Sequence, residues 1–326
     1  MAEYDQITAS TRLYVRNNPK LVDSVFQKDP FLAYLRLNVK QDFPGGRQIE
    51  EPFLYNGMVG GPYAKGKEFD ISERQVEQNL QFQIKFWEEN VTLSMEDVKV
   101  LNRGGDLQLF SLVKSRMQDA YMSLGAHLAL GIYLNGQNAN YVTNFNGLAE
   151  MINDGTVVSW DGSTYSTYGT ISRGGPVGTA LNSTPTISVG SITYKMLETT
   201  YMAASFGSGE YEPNLGVTTA VGISYVKTHF RPQQRFETQD PKIGFRGLAF
   251  NNAIIIGSRY APGSYLAGTA GTADPIAVTM LTEMSNGAVT AYPTPQGGAS
   301  AETFFWINAR QPYINFYVSR DPMFGG

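Results

Sequence analysis

The chain has 326 residues, a net charge of −4 and no cysteine. The absence of cysteine excludes disulfides, thiol catalysis and cysteine-ligated metals, and the absence of a basic run excludes a tight grip on nucleic acid, which takes many phosphate contacts. Hydrophobic residues at 42% allow a sizeable core, while charged residues at 17% fall below the roughly 25% usual in soluble domains, which fits either a surface covered by neighbours or a Ser/Thr/Asn/Gly-rich β surface.

The N-terminus Met1-Ala2-Glu3-Tyr4-Asp5 is polar and acidic, so no secretory signal is expected. No apolar run approaches the ~20 residues of a membrane span. Together with the missing cysteines, these features predict a soluble product assembled in a reducing cytoplasm.

The first forty residues read as short helical pieces separated by proline. Asn18-Pro19 and Asp29-Pro30 each place a capping side chain before a proline at the first helical position. Leu21, Val22, Val25 and Phe26 form one small apolar face; Phe31, Leu32, Tyr34 and Leu35 form the next. Pieces this short are marginal alone. They read as an arm that docks, with Leu21, Val22 and Phe26 as candidate contacts.

Residues 49–91 read as two arms joined by a glycine-rich tip. On the returning arm Val76, Leu80, Phe82, Ile84 and Phe86 alternate with Glu77, Asn79, Gln81, Gln83 and Lys85, which gives one apolar and one wet face. The outgoing arm carries Ile49, Phe53 and Tyr55 at one parity, with Pro52 beside them. The tip runs Asn56-Gly57-Met58-Val59-Gly60-Gly61-Pro62-Tyr63-Ala64-Lys65-Gly66-Lys67. An isolated hairpin is marginal in water, so its apolar face needs a surface from its own body or from another copy. Self-assembly is the first hypothesis, with Pro62, Tyr63, Lys65, Lys67, Val76, Leu80 and Phe82 as the candidate contacts to another copy.

Asp106 then caps a long helix. Phe110, Val113, Met117, Ala120, Leu124, Leu128 and Gly131 recur at three- and four-residue steps, with Asn135-Gly136 as the stop. Residues 153–190, rich in Gly, Ser, Thr and Tyr, read as short strands and loops. A second helix is predicted around Ile192, Met196, Thr199 and Ala203, a strand over 215–220 and a short helix over 223–230. Ala253-Ile254-Ile255-Ile256 reads as a strand buried on both faces. Residues 261–302 read as loop with strand pieces at 276–280 and 288–292, and the chain closes on strands at 304–307 and 313–318.

Little of this points to chemistry. The adjacent pair Glu88-Glu89 would face opposite sides of a strand, which suits a solvated strand end better than a hydrolase pair. His127 and His229 make no triad and no metal spacing. Gly104-Gly105 and Gly174-Gly175 lack a phosphate-loop lysine and read as turns. Trp160 and Trp306 could form a carbohydrate platform, although alternating aromatics usually belong to a core. No catalytic, cofactor-binding or metal residue is expected, and the chain does not read as an enzyme.

The order of parts resembles that of the major capsid proteins of tailed bacteriophages, the Hong Kong 97-like fold. Leu21-Val22-Asp23, Phe26 and Leu32-Ala33-Tyr34-Leu35 resemble one branch's N-terminal arm. Gly45-Gly46-Arg47-x-Ile49 with Pro52 resembles the entry to its extended loop, and Gly147-Leu148 with Ile152 the segment after its spine helix. Tyr168-Gly169-x-Ile171-x-Arg173, Pro232-Gln233-Gln234-Arg235-Phe236, Gly244-Phe245-x-x-Leu248-x-Phe250 and Phe304-x-x-Ile307-Asn308 resemble later motifs. Residues 261–302 are longer than the family pattern.

The resemblance implies an α+β fold with an N-terminal arm (1–44), an extended β-hairpin loop (45–91), a peripheral domain (92–147 and 261–326) holding a spine helix at 106–135, and a mixed axial domain (148–260). Gln233, Gln234 and Arg235 would lie in an axial-domain loop. It implies a virion subunit that forms homo-pentamers and homo-hexamers of an icosahedral head, assembled in a host bacterial cytoplasm around loosely contacted double-stranded DNA. Portal and decoration proteins are further expected partners. So is a separate scaffolding protein, since the chain has no room for a large N-terminal scaffolding segment. In one family member a loop lysine forms an isopeptide link, so Lys65 and Lys67 read either as such links, as salt-bridge donors or as solubilising charges. An encapsulin-type compartment shares the fold and stays open as an alternative, as does a β-rich carbohydrate-binding protein.

Overall fold

A computed structural model describes residues 29–43, 45–68, 71–95, 106–183, 185, 190–205, 207, 209–230, 237–239, 246–264, 275–285, 301–311 and 313–318. The chain divides into two compact units. Among described residues, the smaller comprises 87–95 and 106–126, and the larger comprises 29–86 and 127–318. The expected arm contacts Leu21, Val22 and Phe26, the loop Gln233, Gln234 and Arg235, Gly104-Gly105 and the strand at 288–292 lie outside the described residues.

The larger unit begins at helix α1 (Pro30–Asn38). It starts as the Asp29-Pro30 pair predicts: the Leu32 N–H donates to Asp29 Oδ2 at 3.0 Å, and proline occupies the first turn. Phe31, Leu32, Tyr34 and Leu35 are its buried residues. Strand β1 (Lys40–Asp42) follows, then the hairpin strands β2 (Gln48–Leu54) and β3 (Glu77–Gln83).

Helix α2 spans Asp106–Gly131, about 39 Å at about 1.5 Å per residue. Leu124 is buried as its stripe predicts, whereas Met117 is 45% exposed. The helix stops before Asn135-Gly136. The N–H groups of Tyr133 and Leu134 reach back only three residues, to Leu130 and Gly131, so the last turn tightens. Asn144 Nδ2 donates to the Gly131 carbonyl at 3.0 Å and satisfies one orphan acceptor.

Residues 132–183 contain little regular structure: α3 (Leu148–Met151), the two-residue strands β4 (Thr167–Tyr168) and β5 (Ile171–Ser172), and a 3-10 turn at Gly178–Leu181. Side chains replace the missing ladders. Trp160 Nε1 donates to the Tyr133 carbonyl at 2.6 Å, Asn138 Nδ2 donates to the Asp161 carbonyl at 3.0 Å, and the Tyr165 hydroxyl donates to Asp161. Burial accordingly raises the Asp161 carboxyl above its ordinary pKa, against the hydrogen bonds from Tyr165 and Ser163.

Helix α4 (Tyr194–Ala204) is capped by Thr193, whose hydroxyl accepts from the Met196 N–H at 3.2 Å. Strand β6 (Leu215–Thr219) runs directly into helix α5 (Ala220–Phe230). Strands β7 (Glu237–Gln239), β8 (Arg246–Phe250) and β9 (Ala253–Ser258) follow. Then come helix α6 (Pro275–Met284), β10 (Phe304–Ile307) and β11 (Phe316–Val318). The expected strand at 276–280 is therefore a helix. Pro275 supplies the first-turn proline that α1 also uses, and Leu281 on it is fully buried. The closing strand begins at Phe316 rather than 313, after a turn in which the Ile314 N–H bonds the Arg310 carbonyl.

One five-stranded sheet, in the order β10-β6-β9-β8-β7, organises the unit. β6 and β9 are parallel; the other neighbours are antiparallel. β10, which the resemblance grouped with the spine helix, pairs with β6 in this sheet. One apolar cluster joins Leu197 and Tyr201 of α4, Val226 of α5, and Leu248, Phe250 and Ile255 of the sheet, with Phe304 and Trp306 against it. A second aromatic series runs Phe31–Tyr133–Phe305–Trp160 with centroid distances of 4.9 to 6.2 Å. β11 pairs in parallel with β1.

Asp29 is buried. Burial raises its pKa from 3.8 to about 6, although Ser258 Oγ donates to it at 2.5 Å and backbone N–H groups, Leu32 first, oppose the shift. A raised folded pKa gives stability that is complete below the unfolded pKa and is lost as pH climbs through about 6. At ~1.4 kcal/mol per pKa unit the loss is about 3 kcal/mol. Urea unfolding at about pH 4.5 and about pH 7.5 should show the native subunit more stable at the lower value, with Asp29→Asn narrowing that difference.

Candidate functional site

The hairpin is built as its alternation predicts. Ile49 pairs with Phe82, Glu51 with Leu80 and Phe53 with Gln78, and Tyr55 extends the ladder through its N–H to the Val76 carbonyl at 3.0 Å. Pro52 lies opposite Asn79. The Gln81 N–H, two residues along, points out of the ribbon, so Pro52 occupies a position where its missing N–H breaks no ladder bond. Tight turns shape the tip: the Lys67 N–H donates to the Ala64 carbonyl at 3.0 Å, with Gly66 at φ +90°.

The far end of the ribbon is open. Pro62, Tyr63, Lys65 and Lys67 are all exposed. Leu54 is 74%, Met58 75%, Tyr63 66% and Ile71 93% exposed. All four belong to the excursion from the end of β2 to the start of β3, an unusual number of apolar side chains to leave in water on one segment. Phe86, beyond β3, is also exposed.

The base of the ribbon is held by its own chain, which the sequence reading did not foresee. Leu80 is buried, and Val76 and Phe82 are half-buried. Leu80 and Phe82 lie against the β4–β5 turn, where Gly169 sits. The Phe82 ring meets Tyr168 edge-on at 5.5 Å. The Gln81 N–H donates to the Gly169 carbonyl at 3.0 Å, and Lys85 Nζ donates to the Val142 carbonyl at 2.9 Å.

Glu51 interrupts the apolar face for a reason. Its carboxylate accepts from Asn315 Nδ2 at 3.1 Å and from the Tyr317 hydroxyl, beside and within β11. Burial, reinforced by the bond to Glu51 and its charge, pushes the Tyr317 hydroxyl pKa up to about 12.

Behind the β4–β5 turn lie a buried acid and a buried base. Glu150 accepts from Gln137 Nε2 at 2.6 Å, from Asn146 Nδ2 and from the Gly169 N–H at 3.4 Å. Burial raises its pKa, against the bonds from Asn146 and Gly169 and the Arg173 charge. Arg173 donates to the Leu181 carbonyl at 2.7 Å and to the Glu150 carbonyl at 2.5 Å. Its guanidinium sits 5.2 Å from the Tyr168 ring centroid, close enough for a cation–π contact. Burial lowers its pKa and the Glu150 charge opposes that. The Tyr168-Gly169-x-Ile171-x-Arg173 motif is thus the socket of the hairpin. The Gly169-Thr170 dipeptide was a legible turn signal; Glu51 and Glu150 had none.

The remaining residues weighed for chemistry are dispersed. Glu88 is exposed and Glu89 half-buried, past the end of β3. His127 Nε2 lies 3.0 Å from Glu283 Oε2, while His229 belongs to α5. Gly174 and Gly175 form a turn, the latter bonding the Ser172 carbonyl. Trp160 packs on Phe305, and Trp306 packs among Tyr201, Phe250 and Phe304 while donating to Thr200 Oγ1 at 3.0 Å. Both indoles are core, not a platform. Among the described residues no group of three or more His, Cys, Asp or Glu side chains could hold a metal, and no helix is long and apolar enough to cross a membrane.

The fold resembles the capsid asymmetric unit of cyanophage A-1(L), with a TM-score of 0.55 at 15% identity over 74% of this chain and 70% of that one. No protein-family model and no curated protein matches the chain. The structural likeness establishes a phage capsid-like fold of mixed helix and sheet.

Replacing Arg173 by Leu would strip donors from the Glu150 and Leu181 carbonyls and leave the Glu150 carboxylate without its nearby cation. Breaking one side of such a buried set costs about 3–5 kcal/mol. Guanidinium denaturation of Arg173→Leu should show a loss of that size.

Proposed function

We propose that this chain is a major capsid protein of a tailed bacteriophage, a virion subunit whose copies form pentamers and hexamers of an icosahedral head. One observation carries the reading: a capsid-like fold extends a ribbon fixed at its base and studded at its far end with exposed Leu54, Met58, Tyr63 and Ile71. A neighbouring copy covers that end. Burial of apolar area at about 25 cal/mol per Å² drives the contact, less the cost of ordering both partners. Closed point symmetry repeats each contact, so contacts that are weak singly hold a shell together collectively.

Within this reading the arm at 1–44 and the hairpin at 45–91 reach over adjacent subunits, with Val76, Leu80 and Phe82 shaping the ribbon's base and Pro62, Tyr63, Lys65 and Lys67 meeting the neighbour. The loop with Gln233, Gln234 and Arg235 belongs to an axial domain at 148–260, and 92–147 with 261–326 to a peripheral one. The shell encloses double-stranded DNA. A net charge of −4 suits a wall that does not grip its cargo. A separate scaffolding protein, a portal and a decoration protein are the partners expected during assembly in the bacterial cytoplasm.

Deleting residues 57–67 removes most of the exposed tip and leaves the anchored base. The deletion protein should stay folded by circular dichroism yet run as a small species in size-exclusion chromatography, with no particles in negative stain. Normal particles from it would refute the role of the hairpin. Nuclease-protected DNA inside native particles would separate a phage head from an encapsulin-type compartment.

A further inference from the structure

We infer that the β4–β5 turn is a clasp that sets the direction of the hairpin, with Gly169 as its seat and Glu150 and Arg173 as the positioning residues that hold it. The consequence for assembly rests on the capsid reading; the clasp itself does not.

Three observations converge on this turn. The first is close approach. A Cβ placed on Gly169 would come within 2.9 Å of Leu80 Cβ and Cδ2 and 3.1 Å of Phe82 Cζ. Only a residue without a side chain lets β3 lie where it does, and even Ala would push the ribbon away. The second is strain. Gly169 and Thr170 both have positive φ, +51° and +75°, as a two-residue turn of the primed kind requires. Glycine accepts this, but a β-branched threonine rarely does. The exposed Thr170 side chain is not what holds the conformation; the surrounding bonds impose it.

The third is the chain of contacts behind the turn. The Gly169 carbonyl takes the Gln81 N–H, while its own N–H points to Glu150 Oε1. The Glu150 backbone carbonyl takes Arg173, and Arg173 lies over Tyr168, which meets Phe82. The ribbon is therefore seated on a small, strained, internally braced turn. Glu51, bonded to Asn315 and Tyr317, fixes the other strand. Two separate points of attachment, one per strand, define an angle where a single one would leave a swivel. The angle decides where the exposed tip arrives on a neighbouring copy.

Amide hydrogen exchange in the full-length subunit tests this directly, with Gln81 as the reporter. Gly169→Ala should speed exchange at Gln81 by about tenfold or more and leave the β6 and β9 amides unchanged. Thr170→Gly relieves strain without touching Leu80 and should keep Gln81 at or below its native rate. Unchanged exchange at Gln81 in Gly169→Ala would overturn the clasp. Should Gly169→Ala fail to fold, Leu80→Ala and the double variant decide: the double variant folding and exchanging like Leu80→Ala supports the seat, and a double variant as damaged as Gly169→Ala contradicts it. Particle images of Gly169→Ala address the assembly consequence separately. Altered or absent particles beside normal native ones support it. Native protein without particles would sink the capsid reading and leave the exchange result standing.

Discussion

A two-stranded ribbon is marginal in water on its own, and the placement of this hairpin depends on how that constraint is met. The described body supplies a seat for the base, while the tip stays exposed. Leu80 is packed away against Gly169, whereas Met58, Tyr63 and Ile71, further out on the same excursion, remain in solvent. The apolar face that the alternation reveals is thus divided into two jobs. Its inner part packs against its own chain; its outer part is exposed.

The seat in turn depends on burying charge. Glu150 of α3 and Arg173 just after β5 lie 23 residues apart in sequence, and their carbonyl and guanidinium bonds hold a segment that has almost no ladder of its own. A buried ionic set contributes little net stability compared with a hydrophobic one, but it fixes geometry, because its bonds are directional and leave few alternatives. The same logic recurs at Asp29, which holds the start of α1 to Ser258 of β9, and at Asp161 with Tyr165. Burial raises the pKa of all three carboxyls. Irregular chain is held here by polar side chains at a cost that grows with pH.

Sequence carried the local structure well wherever one period or one cap sufficed. Asp29-Pro30 marked α1, the apolar run at 253–256 marked β9, and the parity of Val76, Leu80 and Phe82 marked the inward face of β3. It misled at Ile276, where a short apolar run has no period long enough to tell strand from helix, and Pro275 was the overlooked sign. The anchors of the hairpin were not legible. Glu51 reads as an interruption of a greasy face, and its partner Tyr317 lies 266 residues away. Glu150 reads as an ordinary surface acid and is fully buried. Long-range polar partnership leaves no periodic trace, so only the three-dimensional arrangement reveals it.

The central claim is that identical molecules complete what one molecule leaves exposed. The most direct measurement is the mass distribution of the purified full-length protein by light scattering, paired with negative-stain images of the same sample. The account predicts closed particles of many copies, uniform in diameter. A monodisperse species with the mass of one chain at every concentration and salt condition tried would contradict it.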